Sequence, residues 1–141
     1  MIEIRLATIN DAAVLAAHDR HVSAGCIKQK ISRQEIYAAY DGDVLVGWLR
    51  YSLFWDIVPF MNMLEILPAY RGKGLGKQLA LFWETQMKEQ GHNKVMTSTQ
   101  QNENVQHFYL HMGYVTVGGF ALAGDTYELM MEKQLDREEL R

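Results

Sequence analysis

Cysteine is almost missing from this chain of 141 residues: Cys26 stands alone. That excludes an intrachain disulfide and points to a reducing, cytoplasmic setting. No His and acid pattern surrounds Cys26, so it reads as an inert thiol rather than a nucleophile. No apolar run approaches the roughly 20 residues of a membrane span, and residues 1–5 lack the apolar stretch of a signal peptide. An excess of positive charge is missing too. Lys and Arg number 14 against 17 Asp and Glu, a net charge of −3, which argues against broad nucleic-acid binding and is compatible with a cationic amine ligand. The spacing of Cys and His supports no metal-ligand set, so no metal is expected. Repeats, low-complexity tracts and linkers are also missing. What remains is 48% hydrophobic and 22% charged, the profile of one globular domain over residues 1–135, with a frayed, solvated tail at 136–141.

The chain is organised around residues 60–87. A short apolar run, Phe60-Met61-Asn62-Met63-Leu64-Glu65-Ile66-Leu67, stops at Pro68-Ala69-Tyr70. The turn Arg71-Gly72-Lys73-Gly74-Leu75-Gly76 follows, and then Leu75, Leu79, Phe82, Trp83 and Met87 recur at helical spacing. Strand, glycine turn, helix is an order that gathers unpaired backbone N–H groups and a positive dipole end where little side-chain bulk intervenes. Arg71, Lys73 and Lys77 add charge, so the simplest ligand is a phosphate or pyrophosphate. A Walker A loop is excluded, because it needs Ser or Thr after its lysine and Gln78 follows Lys77. A dinucleotide fingerprint is excluded because Lys77 stands where its last glycine belongs and the run Val95-Met96-Thr97-Ser98-Thr99 carries no acid. The alternative is a glycine turn that merely joins strand to helix.

Arg71, Gly74 and Gly76 fill (Arg/Gln)-x-x-Gly-x-(Gly/Ala), and Leu64-x-Ile66-x-Pro68-x-Tyr70 precedes it. Downstream come Asn102, Phe108-Tyr109 and Gly113-Tyr114. Over nearly the whole chain this resembles the GNAT N-acetyltransferase superfamily. The resemblance implies an α/β (α+β) fold with a mixed central sheet of about six to seven strands and flanking helices. In that fold the fourth and fifth strands splay apart and coenzyme A sits in the gap. It also implies acetyl-CoA as co-substrate and Asn102 and Phe108 beside the donor. Acetyl would pass to a primary amine of a small molecule or peptide by direct attack in a ternary complex. Rival readings are a non-catalytic acyl-CoA-binding or regulatory module and an acyltransferase acting on a protein N-terminus.

Elsewhere the pattern is coarser. Residues 2–7 alternate as a strand with one wet face. Thr8 and Asp11 resemble a capping box opening a helix that runs to about Val22, with His18-Asp19-Arg20-His21 on its last turn. Residues 23–35 are a loop and a short helix, Ile36–Tyr40 a strand and Asp41-Gly42-Asp43 a hairpin turn. Val44 to Phe54 is a buried central strand in which Arg50 needs a partner or a path to solvent. Gly91 stops the glycine-turn helix, Lys94 to Thr99 is a strand, and Asn102 to Met112 is a helix with Val105, Phe108, Tyr109 and Met112 on one face. Two final strands, 114–117 and 127–133, flank Gly118-Gly119 and Gly124-Asp125. Their apolar character suggests a homodimer.

Amide formation requires a positioned donor, an amine that sheds a proton and a thiolate that is stabilised or protonated. For the donor, Gly72, Gly74, Leu75 and Gly76 offer backbone approach, Arg71, Lys73 and Lys77 offer charge, and Leu64 and Ile66 offer strand backbone to the pantetheine amides. Tyr109 sits where the family often places a general acid; the alternative is a ring packed on the apolar face shared with Val105. Glu65 interrupts an apolar strand and reads either as a partly buried base or as a solvated strand residue. Phe54, Trp55 and Phe60 flank Asp56, either as an acceptor pocket whose rings bury a carbon stem while Asp56 holds the charge, or as a hydrophobic lid with a surface acid.

Overall fold

Apolar alternation and the glycine turn translate into a mixed α/β structure. A computed structural model describes residues 1–101, 103–121 and 126–135. In chain order the elements are β1 (Ile2–Leu6), a 3-10 turn (Ile9–Asp11), α1 (Ala12–His18), α2 (Ala24–Ser32), β2 (Ile36–Asp41), β3 (Val44–Phe54), β4 (Val58–Ile66), a second 3-10 turn (Pro68–Tyr70), α3 (Leu75–Glu89), β5 (Lys94–Gln100), α4 (Val105–His111), β6 (Val115–Ala121) and β7 (Tyr127–Gln134). The strands form one seven-stranded sheet in the order β1-β2-β3-β4-β5-β7-β6. Contacts divide the chain into two compact units: 1–51 with 63–83, and 52–62 with the residues from 84 onward.

In the first unit β1, β2 and β3 form an antiparallel meander. Ile36 to Tyr40 are all buried, so β2 is apolar on both faces. A buried carboxylate ties its layers together. Asp11 accepts from Arg5 at 2.9 Å, the Thr8 amide at 2.7 Å and the Tyr40 hydroxyl at 2.6 Å. Burial pushes its carboxyl up, but these three donors outweigh burial and hold it well below the usual carboxylate range. The helix expected to reach Val22 ends at His18. The reason is Asp19, which leaves the helix at ψ 96° and turns its carboxylate inward. There Oδ2 accepts from Arg50 Nε at 2.9 Å and Trp48 Nε1 at 3.1 Å. This is the partner that Arg50 requires.

In the second unit β5 pairs antiparallel with β7, and β7 with the edge strand β6. The β4–β5 ladder is parallel; the register is Phe60–Met96 and Met61–Thr97. β4 starts at Val58, two residues before the expected run, and carries buried Pro59 near its first residue, where a missing donor is tolerated. α4 starts at Val105 rather than Asn102. Glu103 fills the interval, accepting from the Gln100 amide at 3.0 Å and the Thr99 hydroxyl at 3.2 Å. β6 continues past its expected end at Val117 and through Gly118-Gly119, with a shift of register between Thr116 and Gly118. A Cβ on Gly119 would meet the Glu128 carbonyl at 2.5 Å, so glycine is there for close strand approach. Gly124-Asp125, Asn102 and the tail at 136–141 lie outside the described residues.

Candidate active site

The glycine turn lies in the first unit, between the Pro68–Tyr70 turn and α3. Gly72 and Gly74 have φ of +78° and +82°, the left-handed region, and a Cβ on either would meet nothing within 4 Å. The backbone therefore requires glycine, and the space above it is open. Gly76 sits in the first turn of the fifteen-residue α3, and Lys73 and Lys77 are exposed. Lys73 Nζ stands 5.5 Å from the Tyr70 ring centre. Leu75 points the other way: it is 5% exposed and packs in a core cluster with Ala39 and Val46, so only its backbone faces the turn. Ile66 also turns its side chain to that cluster, as Leu64, two residues earlier, is half-buried.

Arg71 is committed within the unit. Its Nε donates to the Ile66 carbonyl at 2.6 Å, and its Nη2 to Glu65 Oε2 at 2.5 Å. The carboxylate proposed as a base is thus paired with the guanidinium proposed for the pyrophosphate. A glycine the sequence reading passed over, Gly47, lets this corner form. Its Cβ would lie 2.8 Å from the Glu65 carbonyl and 2.6 Å from Ile66 Cδ1. The signal for it was a lone glycine inside an apolar strand.

Tyr109 lies in the second unit on α4, 5% exposed. Its ring stands edge-on to Phe108 at 5.3 Å and to Tyr114 at 5.4 Å. Burial pushes its hydroxyl up to about 12; a hydrogen bond with Thr97 opposes the shift, and the Glu103 charge adds to it. Tyr114 donates to buried Glu84 at 2.8 Å, and Lys133 donates to the same carboxylate at 2.7 Å. Tyr109 is therefore both packed and proton-holding.

The aromatics around the β3–β4 hairpin do line a cavity, of about 420 Å³, within the second unit. Phe54, Trp55 and Phe60 contribute, together with Leu53, Phe120 and Met130, and with the neutral polar Ser52, Asn62 and Ser98. Phe54 stands 4.8 Å from Trp55 and 5.9 Å from Phe60, ring centre to ring centre. Asn62 donates to Ser52 at 2.8 Å. Asp56 is not part of the lining; it sits exposed at the hairpin tip, where it and Trp55 both adopt left-handed backbone, φ +61° and +55°. An exposed tryptophan in that conformation is a strained arrangement.

Residues 9–114 match the sequence profile of the acetyltransferase (GNAT) family. The chain belongs to that family. Comparison with curated protein sequences finds no match. Among solved structures, Ard1 from Thermoplasma volcanium is similar at a TM-score of 0.81 and 13% identity, covering 94% of this chain and 97% of that one. PaiA N-acetyltransferase from Thermoplasma acidophilum, in complex with coenzyme A, is similar at 0.70 and 22% identity over 95% and 99% of the two chains. Ribosomal-protein-S18-alanine N-acetyltransferase from Escherichia coli is similar at 0.80 and 11% identity over 96% and 94%. At these identities the likeness concerns the fold, and the mixed seven-stranded sheet with four helices is the GNAT fold. Among the described residues of this GNAT chain no helix is long and apolar enough to cross a membrane, and no group of three His, Cys, Asp or Glu is placed to hold a metal.

Proposed function

We propose that the chain is a cytoplasmic acetyltransferase that moves the acetyl group of acetyl-CoA to a primary amine of a small molecule or peptide. The amine attacks the thioester carbonyl directly within a ternary complex. The observation that carries this reading is the opening of α3: two left-handed glycines with open space above them, leading into a helix N-terminus between exposed lysines. Gly72, Gly74, Leu75 and Gly76 present backbone to the pyrophosphate, with charge from Arg71, Lys73 and Lys77. The backbone of Leu64 and Ile66 pairs with the pantetheine amides. The Ile66 carbonyl already accepts from Arg71 but has a second lone pair to share. Asn102 and Phe108 complete the donor set by resemblance to the family.

In the reaction the amine nitrogen bonds to the carbonyl carbon, the carbon–sulfur bond breaks, and its electron pair leaves on sulfur. The amine arrives as an ammonium and first gives one proton to water, which frees its lone pair; the attacking nitrogen then sheds a second proton, to Glu65 once Arg71 releases it or to water. Tyr109 donates a hydrogen bond towards the departing sulfur. The second reading, a non-catalytic acyl-CoA-binding module, draws support from a specific observation: Glu65 is engaged by Arg71, and Tyr109 holds its proton tightly.

Two measurements test the proposal. Acetyl-CoA should raise the melting temperature by binding the native state, by about 2.7 kcal/mol of stability at a hundredfold excess over Kd. Gly74→Glu should abolish that shift, while Gly74→Ala, which carries the backbone strain without the charge, should keep part of it. An unchanged shift in folded Gly74→Glu would remove the loop from donor binding. A thiol-release screen of amines and free-N-terminus peptides then separates the readings: stabilisation by acetyl-CoA with no thiol released from any acceptor favours the binding module.

A further inference from the structure

Among the described residues that line the cavity at the β3–β4 hairpin none is charged, yet the sheet register places a carboxylate at its border. Ser98 faces Met130 across β5–β7. Two residues along β7, Glu128 faces Gln100 on one side and Phe120 on the other. Alternation along a strand puts Glu128 and Met130 on the same face. Glu128 is therefore flanked by two lining residues, Met130 along its own strand and Phe120 directly across. It is half-buried, and among the described residues its carboxylate has no hydrogen bond or ion pair. A half-buried carboxylate without a partner, beside an aromatic cavity, lacks a cation.

We infer that this face is the acceptor subsite and that its ligand is a primary amine on a compact apolar body, aryl or branched alkyl, whose ammonium is received by Glu128. The inference rests on the acetyltransferase reading for its turnover, though not for binding. The cavity, at about 420 Å³, has the volume of a small-ligand site. Phe54, Phe60 and Phe120 offer rings to the ligand body, and Ser52, Asn62 and Ser98 offer hydrogen bonds without charge. A polyamine or a lysyl peptide fits poorly. Its second cation, or its backbone amides, would have to be stripped of water against aromatic walls with no carboxylate among the described lining residues. Asp56, at the exposed hairpin tip, does not supply one.

The test is calorimetric titration of the full chain with phenethylamine and with spermidine, each with and without saturating coenzyme A, followed by thiol release from acetyl-CoA with both amines. Phenethylamine should bind about tenfold or more tightly than spermidine. Glu128→Gln should weaken it by about tenfold, the worth of a partly desolvated charge pair. Glu128→Asp should retain most of the affinity, and the stabilisation by acetyl-CoA should be unchanged in both variants. Equal or tighter binding of spermidine, an unchanged affinity in Glu128→Gln, or no saturable phenethylamine binding in either condition would overturn the inference. Thiol release with spermidine preferred would overturn it while leaving the acetyltransferase reading intact. The predicted binding pattern with no thiol release would leave the subsite standing and overturn the acetyltransferase reading.

Discussion

Burial pushes Tyr109 up to about 12, whereas an ordinary thiol loses its proton near pH ~8.5. Moving a proton from this phenol to a free thiolate is therefore uphill, and the hydroxyl serves the sulfur better as a hydrogen-bond donor than as an acid that gives its proton away. Tyr109→Phe should lower turnover by roughly 10²-fold, the lower end of what a positioned acid contributes. It should change stability by no more than about 1 kcal/mol, since the buried ring is kept, with acetyl-CoA affinity unchanged. No alkaline limb from this residue should appear in the pH–rate profile below pH ~10. Turnover equal to the parent would take Tyr109 out of the mechanism. The shared face of Val105, Phe108 and Tyr109 was readable from spacing. The nearness of Thr97 was not, because proximity across the fold leaves no trace in local periodicity. Glu65 shows the same limit. Its interruption of an apolar strand was visible, but nothing local announced that Arg71 would fold back onto it.

At the scale of elements, strand and helix identities followed from periodicity, and the ends did not. α1 stops where Asp19 turns inward to the Arg50 guanidinium, 31 residues away in sequence. The sequence showed that Arg50 needed a partner, and only folding shows which one. This pair is almost fully buried, with side-chain exposures of 7% for Arg50 and 0% for Asp19. Arg50→Met should therefore leave a buried carboxylate without its cation and destabilise the chain by roughly 3–5 kcal/mol, read as a lower urea midpoint at unchanged slope. A loss below about 1 kcal/mol would mean that Trp48 and the His21 amide satisfy Asp19 without Arg50. The end of β6 moved for a related reason. A glycine pair marks the limit of a strand when nothing else is known, but here β6 continues to Ala121 and Gly119 makes room for the Glu128 carbonyl of the neighbouring strand.

For the molecule as a whole, pH exposes how much of its polar chemistry is buried. Tyr40 and Tyr109 are both raised from 10.0 to about 12, chiefly by burial, and Tyr51 and Tyr114 are raised further. A group raised by folding contributes stability that is complete below its unfolded pKa and is lost as pH climbs through the folded value. The melting temperature should hold up to about pH 10 and then fall steeply towards pH 12. On the acid side Asp11 is lowered, so its contribution is present above the ordinary carboxylate range and declines as pH drops below it. A melting temperature flat from pH 9 to about 11.5 would contradict the alkaline half. Family and sheet type were legible at this scale because two motifs in the right order span most of the chain. The acceptor was not, since cavity shape arises from residues on five strands, with Ser52, Phe60, Ser98, Phe120 and Met130 each on a different one.

If the glycine turn binds the donor as proposed, the donor meets exposed Lys73 and Lys77 directly, but the Arg71 guanidinium is forked onto Glu65 and the Ile66 carbonyl. The donor must outcompete an internal anion for that third cation, so Glu65 would stand in for the pyrophosphate. Glu65→Gln should then tighten acetyl-CoA several-fold, with most of the gain in slower dissociation and a stronger dependence on salt. If instead Glu65→Gln leaves the dissociation rate untouched, the guanidinium never changes hands, and Arg71 is a brace for β4 rather than a hand for the ligand.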